Sequence, residues 1–344
     1  MLVASLLTLG SPDQLTGGYL YHRRLAELAP RHGARLDLVP LPALPFPLPA
    51  AAAGRVLRRV AGSDVVVVDS IAAAFLAPWR VGPPLVGSLH QPPGGIDHGP
   101  ARRRVQAALD RAVYRRCALL VLASETLADG LPAVPTQVVR PGRDVAPAPG
   151  GPPEDLRRGR RVALLCVGNW VERKGTLDLL EALALLPPDA ATLHLVGRTD
   201  VDPRYAARVE RRIARGDLAG RVVVHGPVAR ERVAQLYRSA DVFVLPSYRE
   251  PYGTVYGEAM AAGLPVVGWR AGNLPNLARD GREGLIVEPG DRAALAAALG
   301  RLAGDPELRR RLGRAAAERA AALPTWDETT ARFVELLAAV RDTG

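Results

Sequence analysis

Apolar residues along the chain fall into short unbroken runs separated by stretches with helical spacing, and this alternation occurs twice. In the first half the runs are LVASLLTL (2–9), RLDLV (35–39), DVVVVD (64–69), PLVGSLH (84–90), LLVLAS (119–124) and TQVVR (136–140). GYLYHRRLAELAPRHG and RRRVQAALDRAVYRR lie between them as helices. Continuous apolar strands alternating with helices predict a parallel sheet covered on both faces. The second half restarts the pattern with RVALLCVG (161–168), ATLHLVG, RVVVHG, DVFVLPS, PVVGW and GLIVEP.

Between the halves lies PGRDVAPAPGGPPEDLRRGR (141–160), whose prolines and glycines read as an interdomain linker. The expected organisation is a first domain over 1–145, a linker over 146–160 and a second domain over 161–324. A final helix over 325–344 is expected to pack back on the first domain. The class is α/β, two tandem doubly wound parallel-sheet domains facing a central cleft. Ligands bind at the C-terminal edges of such sheets, but the architecture alone suits many chemistries.

Composition narrows the choice. A chain of 344 residues suits two domains of average size. No run of about 20 apolar residues is free of charges and prolines, which argues against a membrane span. The apolar start has no basic segment before it and reads as a first strand rather than a signal peptide. Cys117 and Cys166 sit in apolar runs, as buried thiols of a reducing, cytoplasmic compartment would. No metal-ligand spacing is present, so no metal site is expected.

The net charge of +10 raises the question of nucleic acid. Aromatics are few, however, and the arginines are spread among 35 carboxylates. Of 45 basic residues 44 are arginine, which points to compositional drift and weakens charge as evidence about partners. Nucleic acid is therefore not expected as a partner. The exception, Lys174, becomes informative because it has resisted that drift.

Three glycine-bearing strand-to-helix junctions carry candidate chemistry. In LGSPDQLTGGYLYHRRL, Gly17 and Gly18 open a helix, where backbone N–H groups can approach an anion; a plain tight turn explains a lone GG equally well. In VGNWVERKGT, the cations Arg173 and Lys174 precede a helix with Thr176 as candidate N-cap. Cations there oppose the helix dipole, a cost that a bound polyanion would offset. In VLPSYREPYGTVYGEAMAAGLPVVGW, Glu250 lies in a loop, Gly253 precedes a helix from about Thr254, and Glu258 falls in that helix's second turn. Taken singly, Glu250 reads as a surface charge and Glu258 as an ordinary helix acid.

The Glu-x7-Glu pattern EPYGTVYGE, followed by AMAAGLPVV and DGREGLIVEPGD, resembles the signature of family 4 (group 1) retaining glycosyltransferases of the GT-B fold. VGNWVERKG resembles that family's glycine-to-KG loop, TGGYLYHRRL its N-terminal glycine loop, and LVLASE with RPGRD its domain-junction landmarks. The resemblance runs through nearly the whole chain and is strongest over 161–291. It implies sugar transfer from a nucleotide-diphosphate sugar to an unidentified acceptor (a glycan, a lipid or a small aglycone), with no cofactor and no required metal. By the same resemblance, Glu250 would bind donor-sugar hydroxyls and Glu258 the ribose. The amides of Gly253, Thr254 and Val255 would receive sugar or phosphate oxygens. Lys174 would neutralise the diphosphate, Gly17 and Gly18 would approach it, and His90 would lie near the sugar. Two positions depart from the pattern: Asn169 stands where arginine is usual, leaving Arg173 as a substitute, and Asn276 stands where glutamate is common.

Two other classes share such a scaffold: a non-catalytic sugar-nucleotide or glycan-binding protein, and an epimerase or phosphorylase. Finally, 101–116 as a helix sets Val105, Ala108, Leu109 and Ala112 on one side and six arginines around the rest. That helix is read either as packed on its own sheet or as a peripheral contact with anionic lipid at the inner membrane face.

Overall fold

The computed structural model describes residues 1–11, 17–143 and 153–343. The chain divides into two compact units, one formed by Met1–Asp144 with Pro324–Gly344 and the other by Val145–Leu323.

The first unit holds β1 (Leu2–Leu9), β2 (Ala34–Leu41), β3 (Val65–Asp69), β4 (Leu85–Leu89), β5 (Leu119–Leu122) and β6 (Thr136–Val138). They form a parallel sheet in the order β2-β1-β3-β4-β5-β6. Its helices are α1 (Gly17–Leu28), α2 (Pro49–Arg59) and α3 (Pro100–Tyr114). The strands β3, β4 and β5 are buried along their whole length, which is why their sequences are apolar without alternation.

The second unit holds β7 (Val162–Val167), β8 (Ala191–Val196), β9 (Val222–Gly226), β10 (Val242–Val244), β11 (Val266–Trp269) and β12 (Gly284–Val287). The sheet order is β12-β11-β10-β7-β8-β9, again parallel. Its helices are α4 (Thr176–Ala184), α5 (Pro203–Ile213), α6 (Arg230–Ser239), α7 (Thr254–Ala261), the short α8 (Leu274–Leu277), α9 (Arg292–Gly304) and α10 (Pro306–Ala321). Strand order reverses between β7 and β10, and a doubly wound sheet leaves its ligand crevice at such a point.

The last helix, α11 (Trp326–Thr343), belongs to the first unit. Its Trp326, Phe333 and Leu337 are buried in one cluster with Leu2, Leu6, Tyr21 and Leu25. Gly142 sits so close beneath it that a Cβ there would lie 2.4 Å from the Trp326 Cα.

Of the stretch read as a linker, 146–152 lie outside the described residues. Residues 153–160 pack on the second unit: Leu156 is buried in its core, and the Arg157 guanidinium donates to both Asp241 carboxylate oxygens, at 2.8 and 2.6 Å.

Two local expectations change. Thr176 is the first helical residue of α4, not its cap; Gly175 caps it in a left-handed conformation, φ 68°. A Cβ on Gly175 would lie 2.1 Å from the Pro246 carbonyl oxygen, so only glycine fits. In α3 the packed face is Gln106, Ala107, Asp110, Val113 and Tyr114, while Val105 is 53% exposed. Asp110 sets that rotation by accepting the Gly94 N–H at 2.8 Å from inside the fold.

Candidate functional site

The loops leaving β7 and β10 face each other across the reversal in strand order of the second unit. From β7 the chain runs through Gly168 and Asn169 to buried Trp170, a single turn over Glu172–Lys174, and Gly175. From β10 it runs through Ser247 and Glu250 to Gly253, whose φ of 87° starts α7. The two loops are tied by their backbones: the Arg173 carbonyl accepts the Tyr248 N–H at 2.8 Å and the Ser247 hydroxyl at 3.1 Å.

This tie brings Lys174 to Glu250. The Lys174 ammonium donates to Glu250 Oε2 with both side chains largely covered, 11% and 15% exposed. The lysine stem lies along Gly168, where a Cβ would touch its Cδ at 3.5 Å and its Cε at 3.6 Å. Arg173 comes within 4.0 Å of the same carboxylate, and its Nη1 donates to the Arg249 carbonyl at 3.1 Å. Two cations thus converge on one carboxylate, leaving the cluster one positive charge in excess.

Gly253 sits against Glu250: a Cβ on it would meet Glu250 Cγ at 3.4 Å and Tyr256 Cδ2 at 2.7 Å. Thr254 and Val255 form the first turn of α7, where amide N–H groups have no acceptor within the helix. Glu258, one turn later, accepts from the Tyr237 hydroxyl at 3.2 Å. Burial, then the neighbouring Glu258 charge, hold the Tyr237 hydroxyl well above its ordinary pKa, so it remains a donor.

Asn169 is exposed, and its Oδ1 accepts the Arg198 N–H at 3.1 Å. It therefore joins the turn after β7 to the turn after β8. Asn276 donates to Asn273 Oδ1 at 2.9 Å. Gly17, Gly18 and His90 belong to the first unit. Gly18 adjoins His90, where a Cβ would meet the His90 Cβ and Cγ at 3.8 Å.

Sequence reasoning missed the residues that hold these groups. Asn273 donates its backbone N–H to the Glu250 carbonyl at 2.9 Å and its side-chain amide to the Tyr252 carbonyl at 2.8 Å. Gly272, φ 55°, lets that chain approach, since a Cβ would be 2.7 Å from both Glu250 N and O. The AGN stretch after the β11 run, at a third strand end of the same sheet, was the available signal. Among the described residues no cluster of three or more His, Cys, Asp or Glu side chains could hold a metal ion.

Known structures share this architecture. Sucrose-phosphate synthase from Thermosynechococcus elongatus superposes with a TM-score of 0.81 at 23% identity, covering 100% of both chains. HepE of Anabaena, solved with UDP and glucose, superposes with a TM-score of 0.82 at 21% identity, covering 98% of this chain and 100% of that one. The fold is GT-B. Residues 161–305, which contain the whole cluster around Lys174 and Glu250, match the family described as Glycosyl transferases group 1. A D-inositol 3-phosphate glycosyltransferase of Streptomyces scabiei is 41% identical over 131 residues, 38% of this chain and 29% of that relative. The match thus takes in under a third of that relative's length.

Proposed function

We propose that the protein is a retaining glycosyltransferase that moves a sugar from a nucleoside-diphosphate sugar to an acceptor. The observation that carries the reading is the Lys174–Glu250 pair, set beside the first-turn amides of α7 at the reversal in strand order. Breaking a sugar–phosphate bond builds negative charge on the diphosphate, and preorganised cations and amides stabilise it most where water is partly excluded. Before the donor arrives Glu250 neutralises Lys174. On binding, the ammonium turns to the diphosphate and the carboxylate accepts from sugar hydroxyls. The amides of Gly253, Thr254 and Val255 take phosphate or sugar oxygens, and Glu258, steadied by Tyr237, takes the ribose hydroxyls. Arg173 adds the second cation where Asn169 has no charge. Gly17, Gly18 and His90, which lie in the first unit, keep the diphosphate and sugar roles that the family resemblance implies for them. The leaving phosphate accepts the acceptor's proton in a front-side displacement, so neither a covalent nucleophile nor a metal is required.

A thermal-shift panel of nucleoside diphosphates and their sugars tests this, starting with UDP because HepE was solved with it. One nucleotide should stabilise the wild type strongly through linkage and Glu258→Ala much less. Equal shifts in both proteins overturn the ribose assignment, and no shift with any nucleotide overturns the donor site. D-Inositol 3-phosphate, named in a relative, is the first acceptor to assay, before glycans and lipids.

We further place the protein in the cytoplasm, in peripheral contact with anionic membrane. Among the described residues no helix is long and apolar enough to cross a membrane. Supporting a surface contact, α3 turns Val105 and several arginines outward, and its acid, Asp110, is buried. Phe46, Pro47, Phe75 and Leu109 line an apolar groove of about 510 Å³ beside it, with Arg102 stacked 5.3 Å from the Phe46 ring. Flotation with anionic vesicles at low salt should carry the protein, and its absence there removes the contact.

A further inference from the structure

Three residues distant in sequence meet around His90 in the first unit. Asp69 ends β3, His22 lies in α1, and His90 follows β4. The Asp69 carboxylate accepts the Ser70 hydroxyl at 3.0 Å and the Ile71 N–H at 3.3 Å on Oδ1, and the Thr8 hydroxyl at 3.3 Å on Oδ2. Burial raises its pKa, and the nearby His90 and those donors offset the rise only in part. With three donors aimed at it, the group acts as an acceptor-only carboxylate.

His22 presents Nδ1 to Asp69 Oδ2 at 3.6 Å, and this nitrogen is buried with no hydrogen-bond partner. A lone pair facing a buried carboxylate would be repelled, so the favourable arrangement carries hydrogen on Nδ1. His22 Nε2 then offers a lone pair to His90 Nε2, 3.1 Å away, and His90 must be the donor. This leaves His90 Nδ1 without hydrogen and, among the described residues, without a hydrogen-bond partner. Burial pushes both imidazoles down to about 3, so each is neutral and carries a single N–H. Tyr21 holds the rings in place: its ring stands edge-on to His90 at 4.6 Å, and its hydroxyl donates to the Val139 carbonyl at 3.2 Å.

We propose that Asp69 and His22 are positioning residues that lock His90 in the Nε2–H tautomer, leaving its Nδ1 to accept a hydrogen bond from a substrate hydroxyl. The second half of this proposal rests on the transferase reading above. A neutral acceptor nitrogen suits a hydroxyl and disfavours an ionised phosphate, which has no hydrogen to give. This end of the chain of contacts therefore selects a carbohydrate or alcohol group rather than a phosphate.

The first test needs no substrate. In protein carrying 15N-histidine, long-range proton–nitrogen correlation reads the tautomer of each ring, with His90 assigned by its loss in His90→Gln. His90 should carry hydrogen on Nε2; hydrogen on Nδ1 in the wild type overturns the lock. Asp69→Asn then reverses the chain. The Ile71 N–H keeps the amide oxygen at the Oδ1 position, so the amide NH₂ faces His22 and both rings switch tautomer. A folded Asp69→Asn protein that retains the Nε2–H form of His90 also overturns the lock. For sugar transfer, Asp69→Asn should lower kcat by roughly tenfold to a hundredfold with donor KM little changed, the scale of one buried hydrogen-bonding group left facing the wrong partner. A switched tautomer with unchanged kcat upholds the lock and overturns the role of His90 as hydroxyl acceptor.

Discussion

The two units share one plan, six parallel strands with helices on both faces, yet they equip the ends of their strands in opposite ways. In the second unit, Lys174, Arg173 and Glu250 are charged groups on loops, partly open to solvent and paired with one another. In the first, buried Asp69 and His22 adjoin the half-buried His90, and both histidines are held neutral. A polyanion is best met by mobile charge that a resident carboxylate has kept balanced, since an unpaired buried cation would be costly. A hydroxyl is best met by a neutral acceptor whose protonation is fixed in advance. Under the proposed transferase reading, ionic recognition falls to the loops of the second unit and directional hydrogen bonding to the His90 group of the first.

The largest expected effect breaks the ionic side. Lys174→Ala should lower kcat/KM for the matched donor by roughly two to three orders of magnitude, the scale of losing one transition-state charge contact. Lys174→Arg should recover only part of this, because the stem runs along Gly168 and the longer planar guanidinium does not fit the same path. Arg173→Ala should be milder than either. Wild-type kcat/KM in Lys174→Arg would show that the lysine does not meet the diphosphate.

The scaffold of that side can be broken without touching a charge. Gly175→Ala forces a left-handed alanine against the Pro246 carbonyl oxygen, 2.1 Å from the new Cβ. It should cost about 2–3 kcal/mol of stability, from backbone strain plus the clash. Chemical denaturation measures it, and a loss below about 0.5 kcal/mol would mean that the loop relaxes freely.

The smallest effect sharpens the buried side. Burial raises the Asp110 carboxyl to about 7, against an ordinary 3.8. Between those values the native state keeps a proton that the unfolded chain has released, so this group makes stability fall as pH rises from about 4 to 7. Asp110→Asn removes that dependence. The wild-type stability curve minus that of the variant should slope downward with pH, by at most about 1.4 kcal/mol per pH unit. A flat difference curve would mean that Asp110 is ionised throughout.

Much of this was legible along the chain. Buried parallel strands are written as unbroken apolar runs, so VVVVD and VALLCV identified themselves. The Lys174 loop stood out because one lysine had resisted the drift to arginine, and the Glu250–Glu258 spacing stood out because it matched a known signature. The rotation of α3 was not legible: Val105 and Leu109 carry an ordinary apolar spacing, but the buried acceptor at Asp110 turned the helix the other way. The pairing of Lys174 with Glu250 was not legible either, because the two residues lie 76 positions apart and meet through hydrogen bonds from the Tyr248 N–H and the Ser247 hydroxyl to the Arg173 carbonyl.

Taken by itself, the sequence determined the two α/β units, the order of their strands and helices along the chain, and the charged and glycine positions at the strand ends. These follow from local periodicity and from glycines at strand ends, which act over a few residues. Only the tertiary structure decided which of the polar groups met. Asp69, His22 and His90 come from β3, α1 and the end of β4, and their order in the chain says nothing of a shared hydrogen-bonding path. Parallel sheets place the ends of non-consecutive strands side by side, so contacts at those ends are set by strand order, and the direction of each hydrogen bond by what the fold leaves buried beside it.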